Sequence, residues 1–357
     1  MYKLVKKIHS IQHSFDVLND VICYNTTDEK IVLFNISTNK ITFEINDYSS
    51  LISTFNKQYF YYDNKDNYSN LINHYKKEIK KLGFEIIKSN NNFILVNKRI
   101  DDKVYMIIMD INFNILYQEE RRLGKNVLLL ENHLFFTHFL DDTKFTHYII
   151  EKDTARPLWQ FDLLQLGSFK LAGNILDYKV ISFVGIWKNM LWVQLNNTRL
   201  IALDINNGEK LFDQILYQTL NLPHRNLFIS MHLKDDKLHW LAANAYVQID
   251  LKTLTPVLKK DYYSLPDDKK IFFSHSSLQQ DKLYFTGKHG TNSFFPYLWG
   301  VFDIQKNEIL WLKDMRDVLE KKDFLKNEAP KVSQDKVYVL THKGLLHIFE
   351  KQTDEQV

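Results

Sequence analysis

The segment RLIALDINNGEKLF, residues 199–212, joins an alternating apolar run, an aspartate, a short polar turn and a second apolar start. The same order recurs in KIVLFNISTNKITF, VYMIIMDINFNILY, HYIIEKDTARPLW, YVQIDLKTLTPVL, LWGVFDIQKNEILW and LLHIFEKQTDEQV. Anchored on Asn35, Asp110, Glu151, Asp204, Asp250, Asp303 and Glu350, the seven copies are spaced by 75, 41, 53, 46, 53 and 47 residues. A second strand signal precedes most anchors and is often opened by Asp-Lys, as in DDKLHWLA from Asp235, DKLYFTG from Asp281 and DKVYVLTH from Asp335. Two strand signals coupled in a fixed order, repeated along a chain, point to one supersecondary unit that must stack on its copies to bury its faces.

Apart from the first interval, the period is that of a four-stranded propeller blade. Composition agrees: Phe 25, Tyr 19 and Trp 6 raise aromatics to 14%, and such rings favour pleated, half-buried surfaces. The pattern predicts an all-β chain, residues 1–357 as one domain, folded as a seven-bladed β-propeller of four-stranded antiparallel blades. The last repeat stops short of an outer strand, and YKLVKKIHSI, residues 2–11, alternates ahead of the first repeat. This N-terminal strand is expected to close the last blade.

The pattern L-x-A-L-D-x-x-x-G-x-x-x-W resembles the repeat of the pyrroloquinoline-quinone-like propellers, seen in quinoprotein dehydrogenases and in a lipoprotein of outer-membrane assembly. Gly208 supplies the glycine, where the other turns carry Asn39, Asn114, Ala155, Leu254, Asn307 and Asp354; Trp159 and Trp311 supply the tryptophan. Asn tolerates a left-handed backbone, so three turns keep their chemistry, whereas those at Ala155 and Leu254 are expected to differ. The resemblance implies a ring of blades. It does not extend to the quinone, because quinoprotein dehydrogenases generally place adjacent cysteines beside the cofactor and are exported, and this chain has the single Cys23.

The 75-residue interval calls for an insertion. SNLINHYKKEIKKLG, residues 69–83, repeats Ile72, Tyr75, Ile79 and Leu82 at helical spacing with lysines opposite and Gly83 as a stop, which predicts one short amphipathic helix over about 67–83, packed across a blade edge. In such a ring, connections between second and third strands and between blades share one face. Long segments fall there: 213–226, 259–270, 287–297 and the polar 315–328, the last expected to be helical. Binding residues concentrate on long loops of rigid scaffolds. The candidate partner-binding residues are therefore His224, Arg225, Tyr262, Tyr263, His289, Phe294, Phe295 and Tyr297, chosen because aromatic and Arg side chains dominate interface energetics.

Catalytic motifs are missing from the sequence. No phosphate-cradling glycine loop or G-x-S-x-G occurs among only 10 glycines. His9 and His13 have metal-pair spacing but sit in a strand-like segment, His133, His138 and His147 read as cross-strand contacts of one blade, and Asp101-Asp102, Asp141-Asp142, Asp235-Asp236 and Asp267-Asp268 read as turn residues. No cofactor, metal or catalytic residue is assigned. Forty-six basic against 43 acidic residues, interspersed, give +3, which favours neither nucleic acid nor an anionic membrane. The lone cysteine excludes an internal disulfide and fits a reducing compartment. The sequence thus predicts a cytoplasmic, monomeric, non-enzymatic binding module for a protein partner, either a complex scaffold subunit or a toxin-neutralising protein. The alternatives are a propeller hydrolase or lyase with a central-channel site, and a carbohydrate-binding propeller.

Overall fold

The repeat has a local cause, visible at its anchors. Asp204 Oδ1 accepts the backbone N–H of Asn206 at 2.7 Å, Asp250 Oδ1 that of Lys252 at 2.9 Å, Asp303 Oδ1 that of Gln305 at 2.8 Å and Asp110 Oδ1 that of Asn112 at 2.8 Å. Asn35 does the same for Thr38 at 2.8 Å. An acid or amide at the end of the third strand thereby closes the turn into the fourth, using the side-chain oxygen that mimics a backbone acceptor.

The computed structural model describes residues 1–46, 49–55, 58–63, 68–73, 78–151, 154–222, 231–266, 269–290 and 295–352. Tyr75, His224, Arg225, Asp267, Asp268, Phe294 and Asp354 lie outside the described residues.

Eight four-stranded antiparallel sheets follow one another along the chain among the described residues. Blade 1 is Ile11–Leu18, Val21–Thr26, Lys30–Asn35 and Lys40–Asn46; blade 2 is Ser49–Phe55, Gln58–Asp63, Tyr68–Asn73 and Glu78–Lys81. Blade 3 is Glu85–Ser89, Phe93–Ile100, Lys103–Asp110 and Ile115–Glu120; blade 4 is Leu123–Leu130, His133–His138, Asp141–Glu151 and Thr154–Asp162. Blade 5 is Val180–Trp187, Met190–Leu195, Arg199–Asp204 and Lys210–Ile215; blade 6 is His232–Lys234, Lys237–Ala242, Ala245–Asp250 and Thr255–Asp261. Blade 7 is Ile271–Gln279, Lys282–His289, Leu298–Asp303 and Glu308–Asp314. Blade 8 takes Lys331–Ser333, Lys336–Leu340 and Leu346–Lys351 from one end of the chain and Tyr2–Ile8 from the other.

The ring therefore has eight blades, not seven, and where a helix is expected over 67–83 the described residues form the strands Tyr68–Asn73 and Glu78–Lys81 of blade 2. Ile72 and Ile79, seven residues apart, satisfy a helical period, but they face each other across a hairpin as register partners. Tyr59 on the neighbouring strand pairs with Ile72 on its other side. The neighbouring strand Gln58–Asp63 offers these residues a hydrogen-bonding edge and a buried face, and that tertiary context overrides a short amphipathic pattern. The strand ending at Asn73 is the missing repeat, midway between Asn35 and Asp110. Helix is confined, among the described residues, to a 3-10 turn at Leu163–Leu166 and one α-turn at Leu216–Thr219. The segment 315–330 is not helical either; its apolar Met315 and Leu325 are both fully buried and pin it to blades 7 and 8 in a series of turns. Leu254 also departs from expectation, taking the left-handed conformation (φ 56°) that Asn39 and Asn307 take in the equivalent turns. The cap from Asp250 outweighs the cost to a side chain there.

Closure by the N-terminal strand is present. Tyr2–Ile8 runs antiparallel to Leu346–Lys351, from Tyr2 opposite Lys351 to Ile8 opposite Leu346. Second and third strands are the most buried of each blade and fourth strands alternate toward solvent, so the core lies between blades. Trp192, Leu238, Trp240, Tyr246 and Phe302, for example, form one cluster spanning blades 5, 6 and 7. Each such side chain contributes about 1.5–3 kcal/mol by burial, and none is buried by its own blade alone. The glycine and tryptophan of the repeat meet across blades: Trp159 of blade 4 donates Nε1–H to the carbonyl of Ile205 at 2.8 Å and lies against Gly208 of blade 5, where a Cβ would stand 2.9 Å from the ring.

A loop-bearing face as the candidate functional site

Antiparallel blades send their first and third turns to one face of the disc and their remaining connections to the other. On the first face the links between first and second strands hold two or three residues, as at 19–20, 188–189, 235–236 and 280–281, often with the leading residue left-handed. The other face is built differently. Among the described residues its connections run through 163–179, 216–222, 262–266, 269–270, 295–297 and 315–330, and they join or cap blades 4 through 8. The first of these carries a two-stranded hairpin, Ser168–Leu171 with Asn174–Asp177.

The connections around blades 7 and 8 are tied to one another by main-chain bonds. Tyr297 N–H donates to Gly287 O and Met315 N–H to Tyr297 O, each at 2.9 Å. Leu325 N–H donates to Pro296 O at 2.9 Å and His342 N–H to Phe324 O at 2.8 Å. Backbone fixed in this way positions side chains as a strand would. Between the connections lies a groove of about 480 Å³ lined by His289, Phe295, Tyr297, Arg316, Lys322, Asp323 and Phe324. Its floor is aromatic: Phe295 stacks on Phe324 with centroids 4.0 Å apart, and Phe324 stacks on His342 at 4.6 Å. Arg316 lies 4.4 Å over the Tyr297 ring while Asp314 holds its Nε at 3.0 Å and its Nη2 at 2.5 Å.

Three of the sequence-selected residues line this groove. His289 is bracketed by Tyr297, whose hydroxyl accepts the His289 backbone N–H at 3.0 Å and donates to its carbonyl at 3.2 Å; the ring Nδ1 lies 3.2 Å from the Lys270 carbonyl. Phe295 is 50% exposed. Tyr263 is 37% exposed on the connection from blade 6 to blade 7, with the Lys270 ammonium 5.0 Å above its ring. Tyr262 is 5% exposed and packs edge-on against Phe273 at 5.4 Å, so it belongs to the core of blades 6 and 7 and offers no surface to a partner. His224, Arg225 and Phe294 are outside the described residues. Sequence reasoning missed Arg316, Lys322, Asp323 and Phe324. Their signal was a lone phenylalanine in the charged segment RDVLEKKDFLKNE, which a helical reading places at random around an axis.

A second cleft, of about 430 Å³, opens on the short-turn side between blades 6 and 7 and includes Lys234, Asp236, His239, Gln248, Lys252 and Asn307. It lacks an aromatic floor, and Lys234 pairs with Asp281 and Lys252 with Asp236. In blade 4, His133 Nδ1 and His147 Nε2 are 3.0 Å apart, and His138 Nε2 bonds Thr146 Oγ1 at 2.8 Å. These are the cross-strand contacts expected of that blade. Burial, followed by the neighbouring His133, pushes His147 down to about 3, so this pair is neutral at ordinary pH. Among the described residues no three His, Cys, Asp or Glu side chains converge as metal ligands, and no helix is long and apolar enough to cross a membrane.

No protein-family model matches this chain, and no curated protein matches it in sequence. Solved structures match it in fold. The chain is similar to the computationally designed Ika8 protein, with 11% identity over 98% of each chain and a TM-score of 0.63. It is similar to BamB from Moraxella catarrhalis, with 11% identity over 98% of this chain and 100% of that one, at a TM-score of 0.60. The β-propeller domain of Cps50 (Swd1) from Myceliophteria thermophila matches at 8% identity over 99% of this chain and 100% of that one, at a TM-score of 0.51. At these identities the likeness shows the propeller fold alone.

Proposed function

We propose that this chain is a non-enzymatic binding module that engages a protein partner through its loop-bearing face, as a scaffold subunit of a complex or as a protein that neutralises a toxin. The observation that carries this reading is the asymmetry of the disc. One face has minimal, capped turns, while the other has long connections concentrated on blades 4 through 8 and presents Phe295 and Tyr263 to solvent beside an aromatic-floored groove. Exposed rings on a rigid scaffold are the side chains from which interface energy is drawn. A specific complex on this face is expected to bury about 1,200–2,000 Å² in total.

We further read the repeat as a divergent relative of the quinoprotein-like repeat, supported by the contact of Trp159 with Gly208, and without a bound quinone. We keep the cytoplasmic assignment, with which the single, fully buried Cys23 is compatible. The test is affinity capture from the native host with the protein as bait, read by mass spectrometry, for the unaltered chain and for a Phe295→Ala, Tyr263→Ala double variant. Both side chains are partly exposed, so the variant is expected to stay folded, with the loss of the Phe295–Phe324 stacking costing about 0.5–1.5 kcal/mol, while a specific partner is lost at least tenfold. Equal recovery of that partner by the two baits refutes the assignment of the face.

A further inference from the structure

The loop-face reading above is the premise here, and the groove adds what kind of partner group that face selects. The Phe295, Phe324 and His342 rings form a nearly parallel series, at 18° and 12° between successive planes, and half of Phe295 stays accessible at one end of it. A planar ring entering the groove meets the half-exposed Phe295 ring at the end of this series, with Phe324 already stacked between Phe295 and His342 and the Arg316 guanidinium lying over the Tyr297 ring at the wall. A volume of about 480 Å³ holds one large side chain together with part of its main chain.

Around this floor Arg316 and Lys322 stand against Asp314 and Asp323, and the two carboxylates are the ones committed within the fold. Asp323, the one carboxylate of the lining, accepts the backbone N–H groups of Phe324 at 2.9 Å and Lys343 at 3.1 Å on Oδ1, and its Oδ2 is buried. Lys322, exposed beside it, has no side-chain partner among the described residues and stands in a left-handed turn (φ 63°). Arg316 uses Nε and Nη2 on Asp314, and its Nη1 has no hydrogen-bond partner among the described residues. The donors that reach out of the groove are thus cationic.

We infer that the groove between blades 7 and 8 takes an aromatic side chain of a protein partner, flanked in the partner's chain by a carboxylate that meets Lys322 and Arg316. A nucleic-acid strand fits less well, since Asp314, Asp317, Glu320 and Asp323 alternate with these cations in the same segment and oppose a run of phosphates, whereas a single carboxylate needs only the two donors.

The experiment is selection of a phage-displayed library of linear peptides on the full chain, in parallel on Phe295→Ser and Lys322→Glu variants whose thermal transitions match that of the unaltered protein. Peptides retained by the unaltered chain and lost on Phe295→Ser are expected to carry Trp, Tyr or Phe next to Asp or Glu. Reversal at Lys322 is expected to weaken those peptides by about two- to fivefold, the range of an exposed ion pair, and to spare peptides with neutral flanks. Groove-dependent peptides that lack a ring, or that flank it with Lys or Arg, overturn this inference and leave the loop-face reading standing. If no peptide depends on Phe295 the inference falls too, and the capture experiment then decides the partner reading independently.

Discussion

Gly344 lies where the ring closes, and substituting it by alanine separates two costs that glycine usually hides together. Its φ is +80°, and its carbonyl accepts the backbone N–H of Ile11 at 2.9 Å, joining blade 8 to blade 1. A Cβ there runs into the Ile11 carbonyl oxygen and stands 3.0 Å from its carbon, both of them backbone atoms. The left-handed conformation alone costs an alanine about 1 kcal/mol. Relieving the collision displaces Ile11, which puts its hydrogen bond at risk for about 1 kcal/mol more. It also loosens a side chain that is 1% exposed and packed with Phe15, Tyr338 and Leu346, for a further ~1–2 kcal/mol. Gly344→Ala is therefore expected to destabilise by about 3–4 kcal/mol. The matched control is Gly173→Ala, with φ +85° and nothing within 4 Å of the new methyl, where only the conformational cost of about 1 kcal/mol applies. Urea unfolding of both variants, compared through midpoints and slopes, provides the assay. Equal losses in the two variants refute the argument that contact across the closure, rather than glycine's backbone freedom, makes residue 344 special.

Three more expectations follow from the same structure. Burial is the leading cause that pushes His147 down to about 3 and His232, His239 and His347 to about 4, so the unfolded chain binds more protons than the folded one below the ordinary value of 6.5. Stability is then full above pH 7 and lost as pH falls from 6.5 toward 4, by up to about 1.4 kcal/mol per pH unit for each histidine; urea midpoints that stay level between pH 7 and pH 5 count against it. Ile8→Ala, at a buried position of the closing strand, is expected to cost about 2–4 kcal/mol, and Val5→Ala, at an exposed one, under ~0.5 kcal/mol; deleting residues 1–8 should abolish cooperative unfolding, and an unchanged melting curve would show that the strand is dispensable. Gly208→Ala should cost about 2 kcal/mol, through its φ of +74° and the Trp159 ring 2.9 Å from the new methyl, and much of that loss should vanish in a Trp159→Leu background, a coupling that a double-mutant cycle measures.

Much of the architecture was legible because its causes are local. An aspartate that caps a turn does so with its own neighbours, so Asp110, Asp204, Asp250 and Asp303 announce the end of a third strand wherever they occur. Alternating burial along a strand is likewise written into residue order, and so was the outer strand that Tyr2–Ile8 supplies. The face carrying long connections followed from counting residues between strands. The individual side chains on it did not. Tyr262 and Tyr263 are neighbours of one residue type, yet one is core and the other surface, because the chain bends just past the strand Thr255–Asp261 and only the packing of Phe273 against Tyr262 decides which ring is inward.

By itself, then, the sequence determined the repeating blade, its turn chemistry and the means of closure. Tertiary structure alone decided the number of blades and the shape of the groove. Ile72 and Ile79 satisfy a helix or a hairpin equally well until the strand Gln58–Asp63 lies beside them, and Phe295, Phe324 and His342 come from three separate connections. Both outcomes depend on hydrogen-bond edges and buried faces supplied by distant residues, and no local window contains them.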